Sequence, residues 1–131
     1  MFVDTSTFYA LVDRDDQHHE AARTAYRRAA LDRRALVTTN YVIVELHSLI
    51  TNRINAREAT ATLFDLEDGE TVIVRVEPDD ERSARRILRQ YTDKGFSLLD
   101  ATSFAVMERL NLDTALSFDR HFAQFGLTVL A

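Results

Sequence analysis

The stretch Thr71-Val72-Ile73-Val74-Arg75-Val76-Glu77-Pro78 reads as a strand running into the start of a helix. β-Branched residues dominate its first half and favour a pleated backbone. Pro78 suits a first helical turn, where its missing N–H is not needed. That helix is expected to reach about Lys94, with Gly95 as its C-terminal stop. The same alternation extends in both directions. Upstream, Met1-Phe2-Val3 is a short apolar run that meets the helix-cap chemistry of Asp4-Thr5-Ser6. Helical patterns follow over 5–13 and 17–33, then a strand over Ala35–Thr39. Thr39 or Asn40 can cap a helix of about 40–53, and another over 56–67 stops before Asp68-Gly69. Downstream come an amphipathic helix over Leu98–Leu110, a strand at Ala115–Phe118, a short turn at His121–Gln124 and a last strand at Leu127–Leu130. Strands separated by one or two helices require crossover connections. The expected fold is an α/β/α three-layer sandwich with a mostly parallel sheet of four or five strands, in a single domain over residues 1–131.

Composition narrows the function. With 131 residues, 46% hydrophobic, the chain can bury a core without staples. One proline, three glycines and 28% charged residues exclude a collagen-like or disordered chain. The absence of cysteine excludes thiolate zinc sites and cysteine nucleophiles. No apolar run approaches the ~18–20 residues of a membrane span, and Met1-Phe-Val-Asp4 lacks the features of a signal peptide, so a cytoplasmic domain is expected. The net charge of −5 argues against a surface that is basic throughout. It leaves room for a nucleic-acid enzyme whose carboxylates are neutralised by divalent cations. Fifteen of the sixteen cations are arginine, Lys94 being the exception, and base composition explains that bias more simply than phosphate recognition does.

The informative residues are acids in apolar company. Asp4 follows the first strand and Asp119 the fourth, at the carboxyl edge where open parallel sheets bind ligands. Either acid alone is explained as a helix N-cap. Glu45 lies on or beside an apolar helix face, flanked by Val44 and Leu46, with Tyr41 and Val42 one turn back and Ser48 and Leu49 one turn ahead. A buried carboxylate there is expensive unless paired, for instance with Arg53. Asp100 sits within Leu98-Leu99-Asp100-Ala101-Thr102-Ser103-Phe104-Ala105, where it can also serve a helix start. Together the four suggest an oxygen-ligand site for Mg²⁺ or Mn²⁺. With no nucleotide-binding glycine loop, such a site points to phosphodiester hydrolysis.

In these segments the sequence resembles the PIN-domain ribonucleases, in particular the small VapC-type toxins of toxin–antitoxin pairs. The carrying motifs are Met1-Phe-Val-Asp4-Thr5-Ser6, Val42-Ile-Val-Glu45-Leu46, Leu98-Leu-Asp100-Ala-Thr-Ser-Phe-Ala105 and Ala115-Leu-Ser117-Phe-Asp119-Arg-His-Phe122. Their order and the length of the chain match the family. The resemblance implies that Asp4, Glu45, Asp100 and Asp119 bind Mg²⁺ or Mn²⁺ and are catalytic, with Ser6 and Ser117 orienting an acid or a water. It implies metal-dependent cleavage of single-stranded or loop RNA to a 5′-phosphate and a 3′-hydroxyl. It also implies a homodimer and a cognate antitoxin. His121 stands where many relatives carry another acid, a departure that weakens a second metal position. A housekeeping RNA-processing nuclease is the alternative within the family, and a PIN-like interaction module without catalysis is another; the presence of all four acids favours the enzyme.

Other candidates have simpler readings. His18-His19 reads as a solvated helix start, and Glu45-Leu-His47 does not complete a zinc-hydrolase motif. Phe118, Phe122 and Phe125 can stack on bases, although core packing is the stronger reading. Arg82, Arg85, Arg86 and Arg89 read as a solvated face paired with Asp79, Asp80 and Glu81. Arg14 and Arg120 are the candidates for an RNA-binding rim. Phe8, Tyr9, Leu11, Tyr26 and Leu63 are expected to include interface residues. A phosphoaspartate receiver would need paired acids after the first strand, and a haloacid-dehalogenase phosphatase a second Asp where Ser6 stands.

Overall fold

A computed structural model describes residues 1–130; Ala131 lies outside the described residues. Five strands, β1 (Phe2–Val3), β2 (Val37–Thr39), β3 (Val72–Val74), β4 (Thr114–Leu116) and β5 (Thr128–Leu130), form one sheet in the order β3-β2-β1-β4-β5. Every pairing is parallel, with Phe2 opposite both Val37 and Ala115 and Val3 opposite Leu116. The central strand is buried on both faces, which is why β1 is a continuous apolar pair rather than an alternating one.

Between the strands lie α1 (Thr5–Val12), α2 (His19–Leu31), α3 (Asn40–Arg53), α4 (Ala56–Asp68), α5 (Pro78–Gln90), α6 (Leu98–Arg109) and α7 (Arg120–Gln124). From β1 the chain steps outward through β2 to β3, then returns past β1 to β4 and β5. Right-handed crossovers therefore carry the earlier helices to one face and the later ones to the other. The direction reverses between β1 and β4. Their carboxyl ends flank the crevice that a parallel sheet offers to a ligand.

Short polar side chains begin most of the helices. Asp4, Thr39, Asn55, Ser97 and Asp119 each accept from a backbone N–H of the following turn. Thr39, not Asn40, caps α3; Asn40 Oδ1 accepts instead from Val76 N at 2.8 Å and ties down the chain after β3. The run 71–76 yields only three strand residues, and Val72 is exposed because β3 is a sheet edge. Helix α5 ends at Gln90 rather than Lys94. Tyr91 leaves the helix to pack on Phe96 and Phe125, at 5.6 and 5.4 Å between ring centroids, and Gly95 at φ +72 makes the turn before Phe96. The segment 121–124 is helical, within α7, because Asp119 caps it.

The solvated face of α5 carries Arg82 paired with Asp79. Asp80 departs from that reading: it is 2% exposed and accepts from Arg109 of α6 at 2.8 and 2.9 Å. Glu81 accepts the Tyr41 hydroxyl at 2.6 Å. Phe8 and Tyr9 belong to the core and so are not interface residues, whereas Leu11 and Tyr26 pack against the core and are only partly buried. The exposed large apolar residues are others, including Leu31, Val44, Phe64 and Leu98. No described helix is long and apolar enough to cross a membrane.

The Asp80–Arg109 pair is the main polar tie between α5 and α6, and Arg109 together with the backbone N–H of Glu77 holds the Asp80 carboxyl below the usual carboxylate range against the effect of burial. Such a group stabilises the fold above its unfolded pKa and loses that contribution as pH falls through its folded value. Arg109→Gln leaves the acid buried and unpaired. It is expected to lower unfolding free energy at pH 7 by about 2–3 kcal/mol. Urea denaturation checks this, and an unchanged midpoint would contradict it.

Candidate metal centre

The carboxyl end of β1 places Asp4 between two hydroxyls. Ser6 Oγ donates to Asp4 Oδ2 at 2.9 Å and Ser117 Oγ, following β4, donates to the same oxygen at 3.0 Å. Each hydroxyl also accepts one backbone N–H: Ser6 from Phe118 at 2.9 Å, Ser117 from Asp119 at 3.0 Å. The two serines therefore relay the orientation of Asp4 to the backbone after β4. Asp4 is 6% exposed. Burial pushes its carboxyl pKa up, opposed by these hydroxyl and backbone donors.

Asp100 and Asp119 are held by their own helices. Asp100 Oδ2 accepts from Ser97 N at 2.9 Å while Ser97 Oγ accepts from Asp100 N at 3.0 Å, a reciprocal capping box at the start of α6. Asp119 caps α7, its Oδ1 accepting from His121 N at 2.9 Å. Helix-start chemistry and a functional edge are thus the same residues here. Three helix N-termini deliver Asp4, Asp100 and Asp119, and their dipoles favour negative charge at that place.

Glu45 arrives from the middle of α3 and caps nothing. It is half-buried, and its pKa is raised first by burial and then by the charges of Asp4, Asp100 and Asp119, so Glu45 lies within electrostatic reach of the other three acids. The pairing with Arg53 does not occur. Arg53 lies over the Tyr9 ring, 5.2 Å from its centroid. Among the described residues, no Lys or Arg is paired with any of the four acids.

His121, which the sequence places where relatives carry another acid, stands in the acid group itself. Its Nδ1 lies 2.8 Å from Asp100 Oδ2 and 3.4 Å from Asp119 Oδ1, and the three side chains offer ligand atoms within 4.8 Å of one another. An ionised Asp100 requires Nδ1 to carry the proton in that contact. Of the two rim candidates, Arg120 begins α7 and lines a hollow next to Asp119, whereas Arg14 is exposed in the turn after α1 and is not among the residues lining that hollow.

The donor set suits a hard divalent cation. Carboxylates gathered around Glu45, with no Lys or Arg paired to them, are the oxygen ligands that Mg²⁺ and Mn²⁺ take. Asp4, Glu45, Asp100 and Asp119 are the residues that would hold the ion, and His121 adds a nitrogen more acceptable to Mn²⁺ than to Mg²⁺.

A parallel sheet with acids gathered at its β1–β4 reversal defines a class of metal-dependent nucleases, and the comparison with known proteins agrees. Residues 1–127 match the PIN domain, and the chain belongs to the PIN-domain family, in its VapC branch. It is 32% identical over 126 residues, 96% of this chain and 94% of the relative, to the 23S rRNA-specific endonuclease VapC20 of Mycobacterium tuberculosis. It is 29% identical over 124 residues, 94% of this chain and 90% of the relative, to ribonuclease VapC26 of the same organism. The crystal structure of VapC20, described as a sarcin–ricin loop cleaving toxin, superposes with a TM-score of 0.87 at 30% identity, covering 97% of this chain and 95% of that one. VapBC2 from Rickettsia felis shares the fold at a TM-score of 0.74 and 11% identity, covering 98% of this chain and 95% of that one.

The raised pKa values of Asp4 and Glu45 set a direction for stability. Both groups bind a proton more tightly folded than unfolded. The folded state therefore loses stability as pH rises from the ordinary carboxyl range through the raised values, and carries the full penalty above them. Asp4→Asn keeps a cap acceptor and removes one charge. Its melting temperature at pH 7 is expected to exceed wild type by roughly 3 °C, the shift that ~1 kcal/mol produces at this size. The gap should close as pH falls toward about 4. A variant less stable than wild type at pH 7 would contradict this cost of burying the Asp4 charge.

Proposed function

We propose that the protein is an endoribonuclease dependent on Mg²⁺ or Mn²⁺, the toxin of a VapBC-type pair, formed by a single PIN-like domain over residues 1–131. The observation that carries this reading is the Asp100–Asp119–His121 group, whose ligand atoms lie within 4.8 Å of one another, with the charges of Asp4, Asp100 and Asp119 acting on Glu45 and no Lys or Arg paired to any of the four acids. Bound there, the cation would supply Lewis-acid polarisation of the phosphodiester and activation of water. The protein supplies the placement. Asp4, Glu45, Asp100 and Asp119 hold the ion, Ser6 and Ser117 fix the orientation of Asp4, and His121 positions Asp100. Hydrolysis breaks the bond to the 3′-oxygen and leaves a 5′-phosphate.

The substrate class follows from the relatives, whose names specify ribosomal RNA for VapC20 and ribonuclease action for VapC26. We infer RNA as substrate, a cognate antitoxin as regulator, action in the cytoplasm and assembly as a homodimer. Val44 and Leu98, exposed beside Glu45, are apolar surface available for such assembly. The acidic net charge makes RNA affinity depend on the cation and on local arginines.

Cleavage of unpaired and looped RNA with Mg²⁺, with Mn²⁺ and with EDTA tests the proposal. Activity is expected with either metal and none with EDTA. Asp100→Asn is expected to reduce the rate by more than ~100-fold, because loss of a ligand exceeds the effect of losing an outer partner. Expression of wild type alone should arrest growth, and expression of the variant should not. Cleavage that survives EDTA or the substitution would overturn the mechanism.

A further inference from the structure

Beside the acid cluster lies a second hollow, of about 460 Å³, within the size range of small-ligand sites. It shares Ser6 and Asp119 with the acid site, and its other walls include His18, Phe118, Arg53 and Arg120. His18 stands at the start of α2, as its sequence suggests, but it is half-buried rather than fully solvated. Its ring stacks on Phe118 at 4.3 Å with 9° between the planes, and its backbone N–H donates to Asp16 Oδ1 at 2.7 Å. Phe118 in turn stands apart from the other two phenylalanines of its segment. Phe122 is fully buried and Phe125 packs on Phe104, both as part of the core, whereas Phe118 is half-exposed and outside that cluster.

The hollow offers two guanidinium groups to an anion beside the flat His18–Phe118 stack. Arg53 and Arg120 are both exposed, and among the described residues neither is ion-paired. Arg53 is steadied by the Tyr9 ring beneath it, and Tyr9 is itself fixed by donating to Asp13 at 2.8 Å. Two acids, Asp16 and Asp119, also border the hollow. Asp16 is engaged by the backbone of His18, and Asp119 belongs to the metal centre. Guanidinium groups recognise phosphate, and aromatic planes stack on unpaired bases whatever their identity.

We propose that this hollow is a nucleotide subsite: an unpaired ribonucleotide next to the scissile phosphate stacks its base on the His18–Phe118 pair and sets its phosphates against Arg53 and Arg120. The proposal rests on the reading of the acid cluster as a phosphodiester-hydrolysing centre. Its consequence is that only a splayed or single-stranded substrate fits, because a base in a duplex has no free face to offer.

The test compares wild type with His18→Ala, His18→Tyr and Arg53→Gln. Steady-state cleavage of a short unpaired RNA is measured with Mg²⁺, and binding of the same labelled RNA by fluorescence anisotropy with Ca²⁺. His18→Ala and Arg53→Gln are each expected to raise KM and the dissociation constant about tenfold with little change in kcat, while His18→Tyr restores the plane and stays near wild type. Thermal melting confirms that the variants are folded, and Arg53→Gln tests the site without disturbing the stack. If wild type cuts RNA and both KM values are unchanged, the subsite is overturned and the nuclease reading stands. If wild type cuts nothing yet binds RNA in a manner that depends on His18 and Arg53, the nuclease reading fails, and with it the place of the subsite next to a scissile phosphate, while nucleotide binding at the hollow stands. Wild type that binds no RNA, or variants weakened only toward an antitoxin peptide, would overturn the subsite.

Discussion

The structure depends on one carboxylate held out of water. Asp4 ends the central strand, caps the first helix and receives two serine hydroxyls on a single oxygen. Because Ser6 and Ser117 use their acceptor lone pairs for the N–H groups of Phe118 and Asp119, the position of Asp4 is locked to the chain that follows β4. The crevice between β1 and β4 is thus closed by polar contacts at its floor and left open above. Burial makes the charge of Asp4 unfavourable, and the charges of its neighbours raise the pKa of Glu45 further. A fold that retains this strain is suited to taking up a divalent cation.

Helix starts are the means by which the strain is built. Asp4, Asp100 and Asp119 each take a capping role whose local stabilisation is ~1 kcal/mol and whose geometry aims the carboxylate toward the sheet edge. A capping role and a metal-binding role are therefore not competing explanations for these acids. Glu45 has no such local reward, and only the convergence of the other three gives its position a reason.

Much of this was legible in the sequence, and the gaps have physical causes. The order of strands and helices follows from local pattern, and the four acids stand out because apolar surroundings make carboxylates expensive. What local pattern does not carry is long-range pairing. Asp80 reads as surface on α5, and its burial depends on Arg109, twenty-nine residues later in the chain. Tyr91 reads as helix, and it leaves α5 for aromatic partners on two other segments. His121 reads as a missing acid, and its imidazole instead bridges Asp100 and Asp119. Arg53 is the partner that a merely structural Glu45 would need, and it rests instead on Tyr9 in the neighbouring hollow. In each case the side chain chose a partner that only the packed fold brings near.

The central claim is that Asp4, Glu45, Asp100 and Asp119 form one divalent-cation site. Anomalous diffraction from crystals soaked in Mn²⁺ tests it most directly. The account predicts a manganese peak ligated by carboxylate oxygens of these residues at the β1–β4 crevice, and its loss in crystals of Asp100→Asn. A peak on other side chains, or fully occupied manganese with these four carboxylates uninvolved, would contradict it.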